Sequence, residues 1–296
     1  MGGKRIISVI LGPTAVGKTS LAIETASCFN TKIISADSRQ CYRELNIGVA
    51  KPSAWQLDKI HHYFINSHSI KEEVNAAKFE ELALGWTREI FEKHERAVMV
   101  GGTGLYIKAF CEGLDEMPAI DPAIRQEIQK GYSESGLNWL VEGIRKSDPL
   151  FFEKGEIQNP QRMMRALEVC LSTGRSIYSF RKEKRRDRNF IINKFGIHLP
   201  KEILHKQINE RVDQMIESGL SEEVRNLLPY RKLHALQTVG YTELFSWLDG
   251  NLSFDHAVAL IKKNTRLYAK RQMTWFRKDP AIQWIGPGDL EKIIKS

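Results

Sequence analysis

The chain has 296 residues, 42% of them hydrophobic and 27% charged, with a formal net charge of +8. That balance excludes a disordered or fibrous chain and supplies the core of one large domain or two smaller ones. The excess of 44 Lys and Arg over 36 Asp and Glu fits a polyanionic partner without requiring one. Four scattered cysteines, Cys28, Cys41, Cys111 and Cys170, form no C-x-x-C pair. This argues against a zinc site or a disulfide framework and fits a reducing, cytoplasmic setting. No signal peptide and no long apolar run is present, so no membrane span is expected.

In chain order, residues 6–11 form an apolar run that reads as a buried strand. It leads into Gly12-Pro13-Thr14-Ala15-Val16-Gly17-Lys18-Thr19, which fits G-x-x-x-x-G-K-[ST], and residues 20–29 follow as a helix. Strand, glycine-rich turn and helix in that order make a phosphate cradle. Its backbone N–H groups, from Gly12, Thr14, Ala15, Val16, Gly17, Lys18 and Thr19, point at an anion. Lys18 adds a point charge, and the Thr19 hydroxyl can ligate Mg²⁺.

Residues 32–36 read as a second short strand ending at Asp37, and residues 61–65 as a third. Residues 72–96 carry a helical pattern, and 97–100 form another apolar strand that runs into Gly101-Gly102-Thr103-Gly104. Such alternation predicts an α/β fold: a P-loop NTPase-like parallel sheet with helices on both faces. Ligands of these sheets bind beyond the carboxyl ends of the strands, so the Gly12 loop, Asp37 and the 101–104 turn should converge. Residues 121–186 turn helical and polar and read as an insertion. Residues 190–199 look like a strand returning to the sheet, after which the chain is mostly helical to Lys278. The expected division is a P-loop core over 1–118, a helical insertion over 119–186, and core completion with basic C-terminal helices over 187–296. A monomer is the expected state.

Asp37 opens the polar turn Asp37-Ser38-Arg39-Gln40, where a carboxylate binds Mg²⁺, acts as a general base or simply caps the turn. Thr103 lies in a glycine turn that lets a substrate approach or caps the next helix. In 159–165, Asn159 is a natural N-cap and Pro160 a natural first helical residue. Arg162 and Arg165 then share one face, open to phosphate, base edges or water. Residues 257–278 hold seven Lys or Arg and no acid. Phe254, Ile261, Tyr268 and Trp275 recur at heptad spacing as a core row, and Lys263, Lys270 and Arg277, with Arg266 nearby, form an opposing basic row. Residues 181–188 carry six basic residues and two acids and read as a phosphate contact or a solvated loop. Arg211, in a helix expected over 202–228, lies in an otherwise apolar row and needs either an internal carboxylate or an anion.

At this point the residues resemble the tRNA dimethylallyltransferases, or tRNA isopentenyltransferases, of bacterial type. The likeness runs from about Ile6 to Lys278. It rests on GPTAVGKT (12–19), ISADSRQCYRELNIGVAKPS (34–53), HH (61–62), GGTGLYIKAF (101–110), NPQRMMRALEV (159–169), VGYTEL (239–244) and TRLYAKRQMTWFRK (265–278). The resemblance implies transfer of a dimethylallyl group from dimethylallyl diphosphate to N6 of the adenine beside the anticodon of tRNA. Mg²⁺ would assist, and the loop would hold the leaving diphosphate rather than ATP. Asp37 would be the base, Lys18, Thr19 and Arg211 would stabilise the diphosphate, and Thr103 would position base or diphosphate. Contacts to the anticodon stem-loop would come from Asp37, Ser38, Arg39, Gln40, Thr103, Arg125, Gln161, Arg162, Met163, Met164 and Arg165, with Lys263, Arg266 and Lys270 on the basic row. The chain departs from the family pattern at Asn66, Val49 and Gln207, where relatives commonly carry Asp, Thr and Arg.

Three other readings use the same residues. A small-molecule P-loop kinase would use Asp37 as metal ligand or base. Prenyl transfer to free AMP or ATP needs no basic RNA-facing surface. An RNA-binding module without catalysis has no need of Lys18, Thr19 and Asp37 together.

Overall fold

The computed structural model of the chain describes residues 4–182 and 185–296. Six strands, β1 (Ile6–Leu11), β2 (Ile33–Ala36), β3 (His62–Tyr63), β4 (Arg96–Gly101), β5 (Ile191–Ile197) and β6 (Ile282–Ile285), form one sheet. Their order is β3-β2-β4-β1-β5-β6, and every pairing is parallel. β1 lies between β4 and β5, with Leu11 level with Gly101 and Gly196, so the loops leaving these strands emerge along one edge. The α/β expectation, a parallel sheet wrapped by helices, is what the structure has.

The helices are α1 (Lys18–Cys28), α2 (Ala54–Lys59), α3 (Ala76–Phe91), α4 (Gly104–Glu112), α5 (Pro122–Ser147), α6 (Pro149–Lys154) and α7 (Pro160–Thr173). After β5 come α8 (Lys201–Glu217), α9 (Leu220–Asn226), α10 (Tyr241–Leu248), α11 (Phe254–Phe276) and α12 (Leu290–Ile294). Short polar residues start several of them. Asn75 Oδ1 accepts the Lys78 N–H at 3.0 Å, Asn159 Oδ1 the Arg162 N–H at 3.3 Å, and Ser253 Oγ the His256 N–H at 3.2 Å. α5 is interrupted at Gly136.

The described residues fall into two compact units. One runs to Cys111 and resumes over Asp187–Ser296; its core joins Ile10, Leu21, Ile33, Val98, Phe195 and Ile208. The other is Glu112–Arg186, built on Ile128, Leu140, Ile144, Phe151 and Met163. Its two ends are tied together, because the Arg186 N–H donates to the Glu112 carbonyl at 2.8 Å. Among the described residues no helix is long and apolar enough to cross a membrane.

Several elements differ from expectation for local reasons. The helix expected over 202–228 is two, α8 and α9, separated at Gly219, whose φ of 96° is left-handed. β6 and α12 lie beyond the last predicted helix, where Asp279-Pro280 hides a four-residue edge strand. The core row of α11 is Ala257, Ile261, Ala269, Gln272 and Phe276. Tyr268 and Trp275 are instead 37% and 36% exposed, because a strict heptad drifts round a helix of 3.6 residues per turn.

Candidate active site

The 12–17 loop joins β1 to α1 and cannot be built with ordinary residues throughout. Gly12 has φ 149°, and a Cβ there would meet the Ile197 carbonyl at 2.7 Å. Ala15 also has positive φ, at 63°. Lys18, the first residue of α1, donates its ammonium to the Pro13 carbonyl at 2.6 Å, folding back over the loop.

The Asp37 turn follows β2. Asp37 Oδ1 accepts the N–H groups of Arg39 at 2.9 Å and Gln40 at 3.2 Å, an Asx turn that fixes the carboxylate. Thr103, after β4, braces the same turn: its Oγ1 accepts the Ser38 N–H at 3.0 Å, and its own N–H donates to the Ala36 carbonyl at 3.2 Å. The amide of Gln40 donates to the carbonyls of Val49 and Ala50 at 3.2 and 3.0 Å.

These loops close around a cavity of about 180 Å³. Thr14, Lys18, Thr19, Asp37, Ser38, Arg39, Gln40 and Arg211 supply its polar wall. Val49, Ile65, Val100, Val212, Met215 and Ile261 supply an apolar one. Burial, helped by the repulsion of Arg211, pushes the Lys18 ammonium down to about 7, against a weaker upward pull from Asp37. Burial likewise lowers Arg211, again opposed by Asp37. Two desolvated basic groups therefore face one carboxylate, an arrangement that an anion would complete. Tyr268 stands at the rim. The residue as a whole is 37% exposed, but its hydroxyl is desolvated, and that and then the Asp37 charge push the phenol up to about 12.

Sequence reasoning missed three supports. Glu223 on α9 accepts the N–H groups of Asn46, Ile47 and Gly48 at 3.2, 2.7 and 3.1 Å, and the Tyr241 hydroxyl at 2.6 Å. It thereby pins the loop that carries Val49. Lys51 donates to the Tyr42 carbonyl at 2.6 Å and to Asn66 Oδ1 at 2.5 Å, so Asn66 keeps a hydrogen bond without an ion pair. Gln272 is the third, a polar side chain on the core row of α11. Its position, breaking an apolar row, was the available signal.

Residues expected on the RNA side fall in both units, with Asp37, Ser38, Arg39, Gln40 and Thr103 joined at one turn. Met163 and Met164 are corrected: they are 0% and 9% exposed and lie in the core of the Glu112–Arg186 unit. The Asn159 cap sets the phase of α7, which turns both methionines inward while Gln161 and Arg162 face out. Arg162 pairs with Glu156, and Arg125 and Arg165 share the carboxylate of buried Glu168 at 3.5 and 3.4 Å. On α11, Arg266 donates to Asn209 Oδ1 on α8 at 2.6 Å, so it ties two helices together. Lys263 and Lys270 are exposed and make no ion pair among the described residues. In the 181–188 run, Glu183 and Lys184 lie outside the described residues. Arg188 is anchored inward, donating to Glu80 at 2.7 Å and to the Phe110 carbonyl at 2.9 Å.

A family model described as IPP transferase matches residues 40–279. The tRNA dimethylallyltransferase of Christiangramia forsetii is 48% identical, over 93% of this chain and 91% of that protein. The tRNA dimethylallyltransferase 1 of Bacteroides thetaiotaomicron is 42% identical, over 97% and 93%. Among solved structures, the full-length tRNA isopentenylpyrophosphate transferase of Bacillus halodurans superposes with a TM-score of 0.72 at 33% identity, covering 99% of this chain and 94% of that one. A eukaryotic dimethylallyltransferase acting on tRNA shares the fold, with a TM-score of 0.78 at 24% identity, covering 97% and 75%. The chain belongs to the IPP transferase family.

Proposed function

We propose that the chain transfers a dimethylallyl group from dimethylallyl diphosphate to N6 of the adenine next to the anticodon of tRNA, releasing diphosphate. The observation that carries this reading is the cavity in which two desolvated basic groups, Lys18 and Arg211, stand beside a single carboxylate, Asp37. A diphosphate supplies the missing negative charge, and its departure from the allylic carbon increases that charge in the transition state. Lys18, Arg211 and the loop amides then bind the transition state more tightly than the ground state.

The carbon left behind becomes electron-poor, and the apolar wall of Val49, Ile65, Val100, Met215 and Ile261 packs against the five-carbon group and excludes water. The adenine N6 attacks that carbon, forming the C–N bond as the C–O bond breaks, and must then lose a proton. Asp37 accepts it. Its Oδ1 is held by two backbone N–H groups, which orients the carboxylate. Thr103 acts on the site through Ser38, as the brace of this turn.

Mg²⁺ suits the Thr19 hydroxyl, a hard oxygen that lines the cavity. Among the described residues no group of three or more His, Cys, Asp or Glu gathers to hold a metal, so Thr19 would hold the ion together with the bound diphosphate. When bound, Mg²⁺ would supply charge neutralisation for the leaving diphosphate. Lys263 and Lys270 on α11 offer contacts to the RNA backbone, as do Gln161 and Arg162 on the separate unit.

The test is to incubate the protein with labelled dimethylallyl diphosphate, Mg²⁺ and either unmodified tRNA or AMP. Label in tRNA is the expected result. Label in AMP alone, or ATP turnover without RNA, would overturn the reading.

A further inference from the structure

Gln272 occupies a core-facing position of α11, between Ala269 and Phe276, and is only 7% exposed. A primary amide there is costly unless both ends are satisfied. Both are. Its Oε1 accepts the Thr14 N–H at 2.9 Å, and its Nε2 donates to the Gly102 carbonyl at 2.8 Å. The orientation is forced, because Thr14 N–H can only donate and the Gly102 carbonyl can only accept. Gly102 leaves the room this needs: a Cβ there would stand 2.3 Å from Gln272 Nε2.

The hydrogen bonding continues on both sides. Thr14 belongs to the phosphate loop, whose Lys18 folds back onto Pro13. Gly102 is followed by Thr103, whose Oγ1 accepts the Ser38 N–H beside Asp37. One hydrogen-bonded line therefore runs from Thr14 through Gln272, Gly102 and Thr103 to the Asp37 turn. The loops it joins leave different strands, β1, β4 and β2, and Gln272 joins two of them from a helix 258 residues beyond Thr14 and 170 beyond Gly102 in the chain.

We propose that Gln272 is a positioning residue for the transfer reaction, its amide setting the phosphate loop and the Asp37 turn at one fixed separation. The proposal rests on the transfer reading above. The two bonds being broken and made, allylic C–O and N6–C, are served by groups on opposite ends of this line. A shift between them misaligns leaving group and base together, and an error near 1 Å costs about 100-fold in rate.

The experiment compares wild-type protein with Gln272→Leu, Gln272→Glu and Thr103→Val, measuring kcat, the KM of each substrate and Tm. Gln272→Leu should lower kcat by about 100-fold while both KM values stay near wild type, with Tm lowered by a few degrees as the Thr14 N–H and Gly102 carbonyl lose their partner. Gln272→Glu keeps an acceptor for Thr14 but turns a carboxylate towards the Gly102 carbonyl, so its kcat should also fall. Relative to wild type, that kcat should recover as the pH drops from about 8 to about 6, because protonation restores a donor. The pH recovery also holds the proposal to account if the Leu variant fails to fold. In the double variant Gln272→Leu with Thr103→Val, the second break should add little, as for links of one unit. Wild-type kcat in Gln272→Leu, a pH-independent ratio in Gln272→Glu, or fully additive losses would overturn the assignment. Absence of transfer by the wild-type protein would instead overturn the reading beneath it.

Discussion

The cations of the cavity and those of the Glu112–Arg186 unit are handled in opposite ways. In the unit, arginines already have acids: Arg162 has Glu156, and Arg125 and Arg165 share Glu168. In the cavity, Lys18 and Arg211 are stripped of water, repel one another and share only the charge of Asp37. A paired surface arginine is at rest without a ligand, and its ion pair is worth about 0–1 kcal/mol. A desolvated Lys18 lowered to about 7 beside Arg211 sheds its proton readily and regains it when an anion arrives. The difference separates a surface that can engage RNA by exchanging partners from a pocket built around a ligand.

The sharpest way to break that contrast is Asp37→Ala. It should reduce transfer by about 10²–10⁴-fold through loss of the base, measured as single-turnover label incorporation. Binding of diphosphate should persist, because the variant removes a like charge from the anion's neighbourhood. Near-normal turnover would take the base role away from Asp37.

A smaller effect is expected at the exposed cations. Lys263→Ala with Lys270→Ala should weaken RNA binding and reduce the salt slope of log K by about 0.7–0.9 for each phosphate that the protein no longer neutralises. Arg162→Ala should change the slope less, since Glu156 already competes for its guanidinium. Filter binding of an anticodon stem-loop across a salt series checks both. A larger slope change at Arg162 than at the two lysines would invert the comparison.

The sheet and the cavity floor were legible because their signals are local. An apolar run, a G-x-x-x-x-G-K-[ST] turn and a helix place Lys18 and Thr19 without knowledge of the rest. Asp37 was legible from its place at a strand end, and the same reasoning brought Thr103 to its side. What was not legible depends on phase and distance. Met163 and Met164 were placed at the RNA only by the resemblance, and the side of α7 that they occupy is buried in a core. Glu223 and Gln272 act on loops far away in sequence, so only their polarity on otherwise apolar helix faces marked them. β6 was lost behind Pro280 because four residues carry too little pattern to declare a strand.

The claim that Lys18 and Arg211 form an anion seat is tested most directly by calorimetry of inorganic diphosphate binding at about pH 8, in two buffers of different ionisation enthalpy. At that pH a group lowered to about 7 is mostly neutral in the free protein, and an arriving anion restores its proton. The wild-type protein should therefore bind diphosphate with more proton uptake than Lys18→Ala, which should also bind it more weakly. Equal affinity and equal proton uptake in the two proteins would contradict the account.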